Sequence, residues 1–460
     1  MLLLRRIGLI ALLVAFNCHA QPLPPTVEAA LARAKLPPDA LVAMVVDAEG
    51  KSPPRLSYGA DVAVNPASIA KLTTTFAALE MLGPAYTWKT PVYVDGPIER
   101  GVLQGNLYVR GQGDPKLVSE RLWLLMRRIQ GLGIHTIAGD IVLDHSAFEV
   151  PPQDPGAFDG EPLRPYNASP DALLINFKSV LMTFTPAGSR ALVEVEPPLA
   201  GVKFPDDVPI AKNGCGDWRS ALRADFANPA RVRFAGTYGA GCGEQRWPVA
   251  YVDPASYAAR AVAGMWQQLG GRLKGAVRDG RVPSGLVPAF EMSSPPLSEV
   301  IRDINKFSNN VMAQQVFLTM GLQRSNPATF DAARQAVNAW WRERIGGEPP
   351  AIHNGSGLAR DERITAAQLA RLLQVAWASP LMPEFLSSLP MAGVDGTLRR
   401  MPVASAHLKT GSLRDAHGVA GYVDGANGKR WVVVAIANHP DAAAVQGAID
   451  ALVAWTAQGP

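Results

Sequence analysis

Apolar positions fall into two textures along the chain. The run Leu-Val-Ala-Met-Val-Val-Asp at 41–47 is almost unbroken, which predicts a strand buried on both faces. A turn at 48–51 and a second short strand near Leu56 follow. Asn65 and Pro66 then mark a helix start, as cap and first helical position. Leu72, Phe76 and Leu79 line one face at helical spacing, and Gly83-Pro84 stops the helix. The β-branched run Thr73-Thr74-Thr75 opposes helix, so packing has to override propensity there. From 88 to 250, short strand-like pieces (92–94, 107–109, 141–143, 193–195, 232–234) alternate with Gly/Pro turns. One amphipathic helix, 119–130, stands out among them. Beyond 250, longer helices return at 255–269, 297–306, 310–320, 327–345 and 366–376. A hairpin, 419–423 and 431–436 about a turn at 424–428, and a last helix at 442–455 close the chain. Strands at both ends with helices between predict that the two ends share one α/β domain and that the middle is inserted.

Composition narrows the picture. A chain of 460 residues exceeds one compact core, and 48% hydrophobic against 18% charged residues is globular rather than disordered. Lys+Arg number 44 and Asp+Glu 40, and the net +4 is spread without a basic run, which argues against a nucleic-acid partner. Arg5 and Arg6, an apolar stretch at 7–16 and Cys18-His19-Ala20 form a secretory signal, with cleavage expected after Ala20. No later apolar run reaches membrane-spanning length, so no integral span is expected in the mature form. Removal of the signal leaves Cys215 and Cys242, an even pair that reads as a disulfide in an exported protein; two buried thiols are the alternative. No Cys/His cluster has zinc spacing and no H-E-x-x-H occurs, so no metal or cofactor is expected.

The candidate chemistry lies in three short motifs. Ser68-Ile69-Ala70-Lys71 is the one S-x-x-K of the chain. With Asn65 as cap, Ser68 sits near the third helical position, and Lys71, three residues on, shares its face. A nucleophile, a neighbouring base and an unpaired backbone N–H at the positive helix end thus arise together. By itself the motif reads equally as a first-turn serine beside a solvated lysine. Ser308-Asn309-Asn310 joins two predicted helices. In an extended linker Ser308 and Asn310 point the same way, one able to relay a proton, the other to hold a peptide group. The bland reading is a polar turn with Asn309 as a cap. Lys409-Thr410-Gly411, leading to Ser412, offers a positive charge, a carboxylate-binding hydroxyl and a close approach of ligand to strand.

In the order S-x-x-K, S-x-N, K-T-G, the motifs resemble the active-site set of penicillin-binding proteins and serine β-lactamases. The long stretch between Lys71 and Ser308 narrows the resemblance to the low-molecular-mass class C penicillin-binding proteins. These are the D-alanyl-D-alanine carboxypeptidases/endopeptidases of peptidase family S13. Gly113-Asp114-Pro115, Tyr166-Asn167-Ala168, the segments 355–360, 389–398 and 419–423, and Lys409 to Ser412 carry it. The resemblance implies an α/β (α+β) transpeptidase-like domain with an inserted β-rich region of one or two small domains. The expected division is a signal at 1–20, a discontinuous catalytic domain at 21–87 and 251–460, and an insert at 88–250, with one subdomain about 95–150.

The resemblance further implies catalytic roles for Ser68, Lys71, Ser308, Asn310 and Lys409. Ser68 would attack the bond between two D-alanines of a peptidoglycan stem peptide, with Lys71 as base. The oxyanion would sit between the N–H groups of Ser68 and Ser412. Thr410 would bind a terminal carboxylate beside Gly411, and Lys306 would add charge. β-Lactam antibiotics would acylate Ser68, and the location would be the bacterial periplasm, soluble or loosely membrane-associated. Arg360 closes a glycine-rich loop and can either read a substrate carboxylate or pair with Asp361 or Glu362. The rivals are a serine β-lactamase, for which no clear additional glutamate base is visible, and a non-catalytic peptidoglycan binder. An α/β-hydrolase is disfavoured, since no G-x-S-x-G occurs.

Overall fold

Strand Leu41–Asp47 (β1) lies inside a five-stranded antiparallel sheet that helices cover on both faces. The computed structural model describes residues 21–402 and 405–459, so the signal expected at 1–20 lies outside the described residues. Along β1, Val42 and Val46 enter one core and Leu41, Ala43 and Val45 the other. Burial on both faces is why this antiparallel strand reads as a continuous apolar run instead of alternating.

The remaining strands of the sheet are Leu56–Tyr58 (β2), Ala406–Ser412 (β3), Ala416–Asp424 (β4) and Arg430–Asn438 (β5). Their order is β3-β4-β5-β1-β2, so the first strand pairs with the last, Leu41 opposite Ala437. Helices Pro25–Arg33 (α1) and Gln446–Ala457 pack on one face. The other face carries Lys71–Leu82 (α2), Leu297–Phe307 (α3), Asn310–Gly321 (α4), Phe330–Arg344 (α5) and Ala366–Trp377 (α6). The two chain ends thus share one domain. In α2 the threonines are buried, and two find backbone acceptors: Thr75 Oγ1 on the Lys71 carbonyl at 2.7 Å and Thr74 Oγ1 on the Gly355 carbonyl at 2.7 Å. Burial of Phe76, Leu72 and Leu79 at about 1.5–3 kcal/mol each outweighs the few tenths per residue of lost helix propensity.

Between α2 and α3 the chain builds small sheets over one shared core. One sheet orders Val277–Asp279, Ile141–Asp144, Leu107–Arg110, Lys89–Val94 and Phe290–Ser293. A second includes Ser179–Ala187, Arg190–Glu196 and Gln245–Ala250. Helices Ser119–Gly131 and Pro254–Gln268 pack on their core. Strand pairing does not stop at the boundary expected near 250: Phe290–Ser293 is the antiparallel neighbour of Lys89–Val94. Cys215 and Cys242 are disulfide-bonded in this region, with Cα atoms 4.4 Å apart.

The insert also reaches the catalytic part. Buried Gln315 on α4 donates to the carbonyls of Asp171 (2.9 Å) and Gly113 (3.2 Å) and accepts from the Asp171 N–H (2.9 Å). Ala328 exchanges backbone hydrogen bonds with Ala147 and Glu149. These contacts hold the coil after Ile141–Asp144 against the helices that carry the Ser308 motif. No described helix is long and apolar enough to cross a membrane.

Candidate active site

Ser68 lies in a 3-10 turn, Ala67–Ala70, that feeds directly into α2. The single helix expected from Pro66 is therefore split, and Ser68 precedes the α-helix that Lys71 begins. Asn65 is not the cap expected, since Pro66 holds that position without a side-chain bond; it braces the approach to the turn, its Oδ1 accepting from the Ala67 N–H at 2.8 Å and its Nδ2 donating to the carbonyls of Ala359 and Arg360. Ala67 has φ +48, a conformation that costs a residue with a Cβ about 1–2 kcal/mol. Two backbones press on the turn. A Cβ on Gly357 would lie 2.0 Å from the Ala67 carbonyl oxygen, and one on Gly411 would lie 2.6 Å from that of Pro66. Only glycine lets the loop and β3 close around the serine from both sides.

Lys71 is fully buried beneath Ser68. Its Nζ donates to Ser68 Oγ at 2.8 Å, to Asn310 Oδ1 at 2.6 Å and to the Ser356 carbonyl. Burial, then the charge of Lys409, pushes its pKa well below the ordinary lysine value, with Glu362 opposing. The neutral amine so favoured keeps two N–H groups, for Asn310 and the Ser356 carbonyl, and turns its lone pair to the Ser68 hydroxyl in place of the third donation.

Ser308 sits between α3 and α4 with φ +57, left-handed and not extended as expected. Asn309 caps α4, accepting from the Met312 N–H at 3.0 Å, so the bland reading of Asn309 holds beside the functional one for its neighbours. The tight turn aims Ser308 and Asn310 into the same cleft. Asn310 Nδ2 also donates to the Tyr166 carbonyl at 3.3 Å. On β3, Lys409 is fully buried, which lowers its pKa to about 7, and its Nζ donates to Ser308 Oγ at 3.0 Å. Thr410 Oγ1 donates to Thr397 Oγ1 at 2.8 Å. The three motifs, far apart in sequence, form two neighbouring hydrogen-bonded groups, Ser68 with Lys71 and Asn310, and Ser308 with Lys409.

The cleft above them has a volume of about 650 Å³, and Ser68, Ser308, Asn310, Arg360 and Ser412 line it. Its far wall is Phe158, Asp159 and Tyr166 from the inserted region, and its rim carries Phe307, 69% exposed, and Arg414. Sequence reading missed the wall residues as site members. Phe158 and Asp159 lie in an aperiodic coil, and the one signal was the Tyr166-Asn167-Ala168 segment. Arg360 donates to the Phe158 carbonyl at 2.7 Å and stacks over that ring at 4.9 Å. Among the described residues it forms no ion pair with Asp361 or Glu362. Lys306 departs from expectation. Its ammonium, 5% exposed, is bound to Asp395 Oδ2 (2.6 Å) and the Leu389 carbonyl (2.8 Å), so it fastens the 389–395 segment instead of charging the cleft. Among the described residues no cluster of His, Cys, Asp and Glu could hold a metal ion.

Known proteins share this architecture. Residues 24–459 match the model of the D-Ala-D-Ala carboxypeptidase 3 (S13) family. The chain is 28% identical over 418 residues to a D-alanyl-D-alanine carboxypeptidase from Actinomadura sp., covering 84% of this chain and 76% of that one. It is 25% identical over 386 residues to D-alanyl-D-alanine carboxypeptidase DacB from Haemophilus influenzae, covering 81% and 80%. The crystal structure of penicillin binding protein 4 (dacB) from H. influenzae has the same fold, with a TM-score of 0.73 and 23% identity over 94% of this chain and 99% of that one.

Proposed function

We propose a mechanism from one premise: the chain belongs to the D-Ala-D-Ala carboxypeptidase 3 (S13) family and is a serine-type D-alanyl-D-alanine peptidase. Its substrate in this reading is the D-alanyl-D-alanine end of a peptidoglycan stem peptide, and the same site opens cross-links as an endopeptidase. Ser68 Oγ attacks the carbonyl carbon while neutral Lys71 takes its proton. The resulting oxyanion rests between the N–H groups of Ser68 and Ser412. Ser308, held by Lys409, passes a proton to the leaving nitrogen, and the C–N bond breaks. The proton that Lys71 took from Ser68 refills Ser308, which leaves Lys71 neutral again; it then takes a proton from water, whose oxygen attacks the acyl carbon, and returns that proton to Ser68 Oγ as the ester C–O bond breaks. Asn310 holds the substrate amide, and Thr410 with Lys409 favours the terminal carboxylate.

The observation that carries this reading is the buried Lys71 amine 2.8 Å from Ser68 Oγ, with its pKa lowered by burial. The guanidinium of Arg360, stacked beside Asp159 and Phe158 on the wall, is suited to a further carboxylate of the stem peptide. The reading divides the chain into a catalytic unit, 21–87 with 294–460, and an insert, 88–293. It also includes export to the periplasm after removal of residues 1–20.

The test is mass spectrometry after incubation with fluorescent penicillin and, separately, with purified muropeptides. A penicilloyl adduct on Ser68 and release of D-alanine are expected in the wild type. Both vanish in Ser68→Ala while its thermal unfolding is unchanged. A label on another serine rejects the assignment, and fast release of hydrolysed penicillin turns the reading toward a β-lactamase.

A further inference from the structure

Near Lys71, and not among the residues that line the cleft, lies a second ionisable group that the mechanism has not used. Glu362 is wholly buried. It follows the 354–360 loop and comes just before two backbone bridges, Ala351 with Arg363 and Val64 with Ile364. Its Oε1 turns back and accepts from the His353 N–H at 2.9 Å. Its Oε2 is buried and, among the described residues, meets no donor of good geometry, the Asn354 N–H beside it giving the carboxyl only further partial support. A carboxylate with one oxygen unsatisfied in a dry interior is costly, so its presence calls for a compensating role.

The loop it holds is the one that holds the base. Asn354, next to His353, accepts from the N–H and hydroxyl of Ser356 at 3.0 and 2.7 Å, and donates to the Leu358 carbonyl at 3.2 Å. That network aims two carbonyls at α2: Gly355 receives Thr74, and Ser356 receives Lys71. From the Glu362 carboxyl to the Lys71 ammonium the path is therefore one short loop, His353 to Ser356, buried at its Lys71 end.

We infer that Glu362 is a positioning residue for Lys71, fixing the loop carbonyl that receives the amine and biasing that amine between its charged and neutral forms. This inference rests on the reading of Lys71 as the base of Ser68.

The charges around the pair are few. Lys71 faces Lys409 from β3 and Glu362 from the loop. Glu362 faces Lys71 and its chain neighbour Asp361, whose carboxylate is turned to the His353 ring at 3.3 Å. Burial pushes the Glu362 carboxyl up to about 7, with Lys71 acting the other way. An anion beside a lysine favours the ammonium, so Glu362 opposes Lys409 and keeps the base from losing its proton too early.

The experiment is the rate of penicillin acylation at Ser68 as a function of pH, for wild type and Glu362→Gln. The amide keeps the shape and can still accept from the His353 N–H, but carries no charge. The rising limb, which reports loss of the Lys71 proton, is expected to move to lower pH by about half a unit or more. A lower plateau with an unmoved limb would reduce Glu362 to a structural residue and overturn the inference. Should Glu362→Gln fail to fold, the coupling is read from its other end, since it is reciprocal. In Lys71→Met, the glutamate carboxyl 13C resonance that titrates near neutrality is expected to move to higher pH; no movement overturns the inference. A wild type that shows no acylation at Ser68 overturns the functional reading and this one together, whereas an unmoved limb on an acylated Ser68 overturns this one alone.

Discussion

Two buried lysines stand in neighbouring hydrogen-bonded groups, and burial acts on both in the same direction. Their duties are opposite. Lys71 works as a neutral amine, Lys409 as a cation beside Ser308. Because Lys409 further depresses Lys71, the pair loses protons in order, Lys71 first. The sign of the pH dependence follows. Acylation rises as pH climbs through the lowered pKa of Lys71, then falls where Lys409, near 7, gives up its charge. A bell-shaped profile of acylation rate by a β-lactam is expected, with both limbs far below the ordinary lysine range. Substitution separates the roles. Lys71→Arg leaves a guanidinium that stays protonated and should cut acylation by about 10³-fold or more. Lys409→Arg keeps the charge and should retain measurable activity. Equal losses in stopped-flow acylation would show that the division of labour is wrong.

Among elements, the junction of the Ser68 turn, the 354–360 loop and β3 decides whether the site is assembled. Gly357→Ala places a methyl against the Ala67 carbonyl and Ser68 Cα, both backbone, at φ +79. A shift of Ser68 by even 1 Å should lower acylation about 100-fold. Gly346→Ala is the control: at φ +85 with open space around it, it should lose about 1–2 kcal/mol of stability and no activity. Comparable activity losses in both variants would mean that strain, not the clash, is what matters. Much of this level was legible in the sequence. The 41–47 strand and the C-terminal hairpin read clearly because burial on both faces leaves unbroken apolar runs. The motifs fell at element boundaries where turn chemistry is local. Other features depend on partners distant in sequence. Strands beyond 250 such as Val277–Asp279 went unread because they are short and half exposed, and only pairing defines them. Helices Pro25–Arg33 and Met382–Ser388 went unread, being short and without a capping side chain. Glu362, inside Arg-Asp-Glu-Arg, looks like a solvated charge until the fold closes over it.

At the scale of the molecule, the insert and the catalytic part have separate cores joined by the coil that walls the cleft. The Cys215–Cys242 bridge lies in the insert and closes a loop with a sequence separation of 27. Such a loop is worth about 3 kcal/mol of unfolded-state entropy. Reduction should therefore lower the melting temperature while the surviving folded protein still takes up penicillin at nearly the wild-type rate. Calorimetry and labelling on the same reduced sample measure both. A parallel loss of labelling would mean that the bridge shapes the cleft wall.

The pairing of β1 with β5 has a consequence for the order of assembly. β1 is made early in synthesis, yet its main partner is among the last residues of the chain. Until that partner arrives, β1 offers a long apolar edge with unmet backbone groups, the kind of surface that chaperones cover and that aggregates form on. The insert's strand pairings, such as Lys89 opposite Ser293, span less of the chain than Leu41 opposite Ala437, so they can close before β5 is made. The cleft around Ser68 therefore waits on a strand made long after β1: a ribosome stalled before Arg430 is expected to leave β1 without its main partner.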